Sequence, residues 1–217
     1  MSWVDTLTKS DICAALQPTP VLRGDEWFWL TGASPELRLR VQAAMPARMV
    51  PAAVLVPLVE RDGGFSVLLT ERSTALKDHP GQISFPGGRI EPGDASPWEA
   101  ALREAQEEIG LQRDWISFAG YLPDHPILTG FRVTPVVGFV VAHHRLALDA
   151  GEVHDAFEVP LKYLFDEVNH RPRERTLGGV ILNTTEIPFL NHTIWGATAG
   201  MLLTLRRLVL ERRPDPV

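Results

Sequence analysis

Three glutamates, Glu104, Glu107 and Glu108, lie in the stretch REAQEEIG at positions 103–110. In a helix, residues three and four apart share a face, so these carboxylates crowd one patch. Like charges at that spacing cost roughly 0.2–0.5 kcal/mol per pair, and no lysine stands four residues along to relieve them. A plain acidic pair on a helix is ordinarily a solvated face. Here the glycine-rich stretch FPGGRIEPGD (85–94) runs directly into the same helix, and its backbone can approach a ligand closely. Magnesium prefers hard oxygen ligands, usually one or two carboxylates completed by waters and substrate phosphates. The expected gain from clustering the charges is a divalent-metal site.

The helix that carries them is well marked. Ser96 at the N-cap, Pro97 at the first helical position and Glu99 at the third predict a capping box. Gly110 supplies a left-handed stop. Trp98, Ala101, Leu102, Ala105 and Ile109 form an apolar stripe. The stripe should face the core, with the glutamates on the adjoining flank away from the deepest packing. Upstream, Ala52–Val59 and Phe65–Thr70 read as strands around the turn RDGG, and a strand fragment lies in PGQISFPGG. Trp115–Leu122 and Phe131–Val141 read as strands, and Arg175–Leu190 as a strand pair. Helical spacing occurs over Asp5–Leu16, Glu36–Met45, Val159–Val168 and, most strongly, Trp195–Leu210. Strands mixed with helices before, between and after them predict an α/β fold with a sheet layered between helices. Residues 1–48 are expected to be an accessory segment and 49–217 the main domain.

Composition narrows the setting. The chain has 217 residues, 45% of them hydrophobic, enough for a real core. A net charge of −6 with no long basic run gives no support for duplex nucleic acid as a partner. Cys13 is the only cysteine, which rules out an internal disulfide and favours a reducing, cytoplasmic setting. No apolar run has the length of a membrane span, and the N-terminal stretch has acids where a signal peptide has a basic region.

Gly88, five residues, Asp94, eight residues, then Arg103-Glu-Ala-Gln-Glu-Glu-Ile-Gly-Leu111 resembles the Nudix box. That motif has Glu where Asp94 stands and one residue fewer before the Arg; REAQEEIGL matches throughout. LLTERSTALKDHPGQISFPGG (68–88) resembles the signature ahead of the box in coenzyme A pyrophosphatases, with Lys77 where Arg is expected. That subfamily commonly carries the longer box with Asp. GFRVTPVVG (130–138), EVHDAFEVPLKYLFD (152–166) and IWGATAGMLL (194–203) resemble its later parts, so the likeness spans about residues 50–210.

The resemblance implies a Nudix-like α/β/α sandwich and Mg²⁺- or Mn²⁺-dependent hydrolysis of a nucleoside diphosphate derivative. It implies Glu104, Glu107 and Glu108 as metal ligands, with the Gly87 carbonyl as an additional one. Arg103 is expected to orient the glutamates, and Asp94 to be either its partner or a plain turn aspartate. Glu152 is the candidate base or further ligand, ahead of Asp149 and Glu158; its alternative is a solvated acid. Arg72, Ser73 and Lys77 are candidate contacts to the phosphates of coenzyme A, or structural residues of their loop. His79 lacks a partner at metal-ligand spacing, and Ser84 lacks a nucleophile-elbow motif. The leading substrate is coenzyme A or an acyl derivative. Alternatives are ADP-ribose, NADH, a dinucleoside polyphosphate, or a non-catalytic nucleotide sensor. The C-terminal helix is expected either to support a homodimer or to be buried within one chain.

Overall fold

The computed structural model describes residues 3–20, 34–76, 78–177 and 179–212. Its centre is the parallel pair β1 (Val50–Arg61) and β7 (Phe131–Val140), in register from Val50 opposite Phe131 to Val59 opposite Val140. Both strands are runs of small and β-branched apolar residues, which suits burial on both faces. Around them, β2 (Gly64–Arg72), β3 (Ile83–Ser84) and β5 (Ile116–Tyr121) complete the order β3-β2-β1-β7-β5. Two short strands join this sheet alongside: β4 (Gly87–Arg89) on β1 and β6 (His125–Ile127) on β7. A third, β8 (Val153–Pro160), pairs β2. A second sheet has the order β11-β10-β9, built from Arg171–Leu177, Val180–Phe189 and His192–Ile194.

Helix α3 (Pro97–Ile109) covers one face of the main sheet, burying Ala100, Ala101, Ala105 and Ile109 against Ala53, Leu55 and Val136. The other face is covered by α1 (Lys9–Ala15), α4 (Leu161–Phe165) and α5 (Gly196–Arg212). The layering is α/β/α, as the alternation of elements requires. Helix α5 buries Met201, Leu202, Leu205 and Val209 within its own chain.

The N-terminal stretch is tied to this core. Thr8 and Asp11 close a capping box, Ile12 is fully buried, and Trp3 stacks on Phe165 with centroids 5.8 Å apart. Helix α2 (Pro35–Ala44) instead builds a satellite cluster, in which Val41 packs with Val180 and Leu182.

Two boundaries differ from expectation. The helix anticipated over Val159–Val168 is confined to α4, because Val159 and Pro160 end β8 and Val168 is 81% exposed. Strand β8 itself, VHDAFEVP, lacks clean alternation since it pairs β2 alone and keeps His154 and Asp155 exposed. The capping box of α3 is half made. Ser96 Oγ accepts from the Glu99 amide, but the Glu99 carboxylate pairs with Arg113, a charge-assisted fork that outcompetes a neutral N–H.

Candidate active site

Strand β4 lays Gly87 and Gly88 beside Val54 and Ala53 of β1, directly under α3. The two glycines are required for different contacts. A β-carbon on Gly87 would sit 2.4 Å from the Ala53 carbonyl oxygen, so only glycine lets β4 lie this close to β1. A β-carbon on Gly88 would sit 2.4 Å from Glu104 Oε1, so the Glu104 carboxylate rests on the bare backbone of Gly88.

Arg103 organises the acidic patch. Its Nε and Nη2 donate to the two oxygens of Asp94, at 3.1 and 3.0 Å, and Nη2 also donates to the Arg89 carbonyl at 3.0 Å. Nη1 donates to Glu104 Oε1 at 2.9 Å and to Glu107 Oε2 at 3.0 Å. Asp94, its side chain 7% exposed, is therefore the arginine's partner across the loop rather than a plain turn residue. The guanidinium beside it holds the Asp94 carboxyl below the usual carboxylate range. Arg103, four residues before Glu107, supplies the relief that no lysine provides.

The three glutamates are not equivalent, contrary to the expectation of a common exposed flank. Glu107 is 58% exposed in its side chain and Glu104 is 15% exposed, while Glu108 as a residue is only 5% exposed. The reason is geometric. Glu108 follows Ala101 by seven residues, about two turns, and Ala105 by three, so it falls at the margin of the buried stripe. Its Oε2 accepts from the Gly87 amide at 3.1 Å. Burial pushes its carboxyl up to about 8, opposed by that N–H and by Arg72, and reinforced by Glu104 and Glu152. Burial likewise raises Glu104, against the pull of Arg103.

Glu152 thus acts on both Glu104 and Glu108 from the start of β8. It is exposed, and its own backbone carbonyl accepts from the Ser73 amide at 2.8 Å. The rivals point elsewhere: Glu158 takes a two-pronged contact from Arg61, and Asp149 Oδ1 accepts from the Gly151 amide. The charge of Arg72 pulls the Glu108 carboxyl down, which puts Arg72 near the buried end of the acidic patch. Ser73 is buried, and its Oγ accepts from the Ala75 amide within the loop. Lys77 lies outside the described residues. Ser84 Oγ lies 3.2 Å from Thr70 Oγ1 and joins β3 to β2.

Residues 49–177 match the model of the NUDIX domain. This chain belongs to the Nudix hydrolase family. It is 38% identical over 160 residues to Nudix hydrolase NudL of Citrobacter koseri, covering 74% of this chain and 81% of that one. The NudL protein of Pectobacterium atrosepticum is 36% identical over 183 residues, covering 80% and 93%. Among solved structures, a Nudix hydrolase from M. smegmatis, RenU, superposes with a TM-score of 0.52 at 18% identity, covering 77% of this chain and 88% of that one. That likeness speaks for the fold.

Nudix hydrolases are divalent-metal enzymes, and the donor chemistry here fits such an ion: hard carboxylate oxygens, one of them on the buried side chain of Glu108, which forms no salt bridge among the described residues. Among the described residues, no three His, Cys, Asp or Glu side chains form a ready metal cage. Arg103 draws Glu104 and Glu107 to itself while Glu108 turns to Gly87. A cation with few protein ligands, completed by water and substrate phosphate, suits this Nudix hydrolase better than a closed site. The contact least legible in the sequence is the Gly87 amide, which holds Glu108 from the strand beneath α3; the paired glycines were its only signal. Asp124 was also unanticipated: it is buried, accepts from Thr134 Oγ1 at 2.7 Å and lies 3.6 Å from Arg132 Nε. No helix among the described residues is long and apolar enough to cross a membrane.

Proposed function

We propose that this Nudix hydrolase splits the diphosphate of coenzyme A or an acyl-coenzyme A into 3′,5′-ADP and (acyl-)4′-phosphopantetheine, with Mg²⁺ or Mn²⁺. The observation that carries the reading is the placement of Arg72. It ends β2 within the stretch that resembles the coenzyme A signature, and its charge pulls on the Glu108 carboxyl against the larger effect of burial. That proximity supports reading the loop and the acidic patch as one site.

Glu104, Glu107 and Glu108 would hold the cation, with the Gly87 carbonyl as an additional ligand. When bound, the cation neutralises charge on the diphosphate and makes water a better nucleophile. Arg103 keeps Glu104 and Glu107 on one side of α3 and ties both to the Asp94 loop. Glu152 accepts the proton of the attacking water as its oxygen bonds to phosphorus and the bridging P–O bond breaks. Arg72 and Lys77 bind phosphate oxygens of the substrate, the former by a two-pronged contact. Ser73 serves this indirectly, since its amide fixes the carbonyl of Glu152.

The test is a substrate panel with each metal, products identified by mass. Coenzyme A should outpace dephospho-coenzyme A about ten-fold, because a charge-assisted hydrogen bond to the 3′-phosphate is worth roughly 1.5–3 kcal/mol. Arg72→Ala should narrow that gap. Equal rates on the two substrates would remove the 3′-phosphate from the reading. A faster reaction on ADP-ribose, NADH or a dinucleoside polyphosphate would replace the substrate altogether.

A further inference from the structure

The second sheet concentrates positive charge on one strand. Arg171, Arg173 and Arg175 alternate along β9 (Arg171–Leu177), so their side chains leave the same face of it. The register puts them opposite Glu186, Thr184 and Leu182 of β10 (Val180–Phe189). Glu186 is the only acid of β10, and the acid of β9, Glu174, lies opposite Asn183 on the other face. In a chain of net charge −6, the two strands thus set three guanidinium groups against one carboxylate on this face.

Like charges on one strand face repel, and on a solvated face such side chains would move apart. Here two of them are fixed. The buried Glu186 carboxylate accepts from Arg173 Nε at 3.2 Å and from Arg175 Nη2. Burial alone would raise that carboxyl, but the two arginines hold it below the usual carboxylate range, so it stays charged. The Arg175 guanidinium also stacks on the Trp195 ring, 4.2 Å from its centroid. Its Nε is buried with no acceptor among the described residues. Helix α2 covers the Val180 and Leu182 end of the face, while Arg171 and Arg173 at the other end are exposed. Donors held this way are in place before a ligand arrives, which lowers the cost of binding one.

We propose that Arg171, Arg173 and Arg175 form a binding site for a dianionic phosphomonoester on the second sheet. Three guanidinium groups against one carboxylate leave two positive charges, the number that such an ester neutralises near neutral pH. Arg173 gives only Nε to Glu186, which leaves both its Nη groups for phosphate oxygens. The positive end of α5, which starts directly after Trp195 and has no acid in its first turn, adds to the field. None of these residues belongs to the diphosphate site, and the inference does not depend on the coenzyme A reading. A soluble phosphate ester and a phosphatidate headgroup present the same chemistry to the site.

Calorimetric titration of the full chain with glycerol 3-phosphate, in EDTA to keep the glutamates free of metal, tests the proposal. The parent protein should bind one equivalent. Arg171→Gln and Arg173→Gln, which leave the Arg175–Glu186 pair intact, should each weaken binding about ten-fold while keeping the melting temperature and turnover of the parent. Glu174→Gln alters charge on the opposite face and should bind within about two-fold of the parent. Sedimentation with phosphatidylcholine vesicles, with and without phosphatidate, separates the two sources. Phosphatidate-dependent pelleting that Arg173→Gln abolishes assigns the site to a lipid headgroup, and titration without pelleting assigns it to soluble esters. A parent protein that binds neither probe overturns the proposal, and so do arginine variants that bind as the parent does. Ten-fold tighter binding by Glu174→Gln also overturns it, because charge at a distance would then suffice without contact.

Discussion

Replacing Gly88 and Gly87 separately by alanine should damage two different things, although the residues are neighbours in one short strand. The added methyl at Gly87 would meet the Ala53 carbonyl at 2.4 Å and the Val54 Cα at 2.6 Å. Both are backbone atoms of the central strand and cannot swing aside, so β4 must part from β1. Overpacking of that kind costs about 3 kcal/mol, which for a chain of this size lowers Tm by roughly 6–12 °C. The methyl at Gly88 meets only the end of the Glu104 side chain, at 2.4–2.6 Å. That carboxylate can rotate away, so the fold should lose less than about 1 kcal/mol and Tm less than about 4 °C. The chemistry suffers instead, because the displaced carboxylate leaves both Arg103 and the place where the cation is expected. Loss of one ligand oxygen at a site with few protein ligands should cost turnover on the order of 10²-fold, or about 2.7 kcal/mol in the barrier. Thermal melts and steady-state rates with saturating Mg²⁺, on the substrate chosen by the panel, report the two effects independently. The reasoning is refuted if Gly88→Ala keeps its rate within two-fold of the parent, or if it melts as low as Gly87→Ala.

Two further outcomes follow from the burial of particular side chains. Glu108→Gln should fold at least as well as the parent near neutral pH, since burial already holds that carboxyl up to about 8 and glutamine can still accept from the Gly87 amide. Its turnover should fall by orders of magnitude, as should that of Glu107→Gln; near-normal rates in a folded double variant would show the patch to be solvated surface. His125, buried beside Gly200, has its imidazole pushed down to about 4 by burial. A depressed base is neutral in the folded chain while the unfolded chain takes up a proton below about pH 6.5. Stability should therefore be full above that pH and decline as pH falls toward 4, by about 3 kcal/mol. His125→Leu should flatten that part of a urea-midpoint series at pH 7, 5.5 and 4.5, and an undiminished decline would assign the proton uptake elsewhere.

Local sequence carried helix α3 almost completely. Ser96, Pro97 and Gly110 fixed its ends because capping and left-handed termination are matters of a few adjacent residues. The alanine-rich stripe fixed its buried face, and the long apolar runs fixed β1 and β7, since periodicity registers burial directly. The triplet of glutamates marked the site. What the sequence left open depended on partners far along the chain. Edge strand β8 is held by pairing with β2 rather than by its own pattern, so its residues gave little alternation to read. Whether Asp94 was a partner or a bystander turned on the reach of Arg103 across the loop. Whether Glu108 was exposed turned on how β4, held close to β1 by the missing β-carbon of Gly87, brings the Gly87 amide to the Glu108 carboxylate. Likewise, only the folded chain gives Asp149 and Glu158 partners elsewhere, in Gly151 and Arg61, because these two acids and Glu152 look alike in composition. Helix ends and buried faces are written in nearest neighbours; burial of a charge and convergence of loops are set by contacts that exist only once the chain has folded.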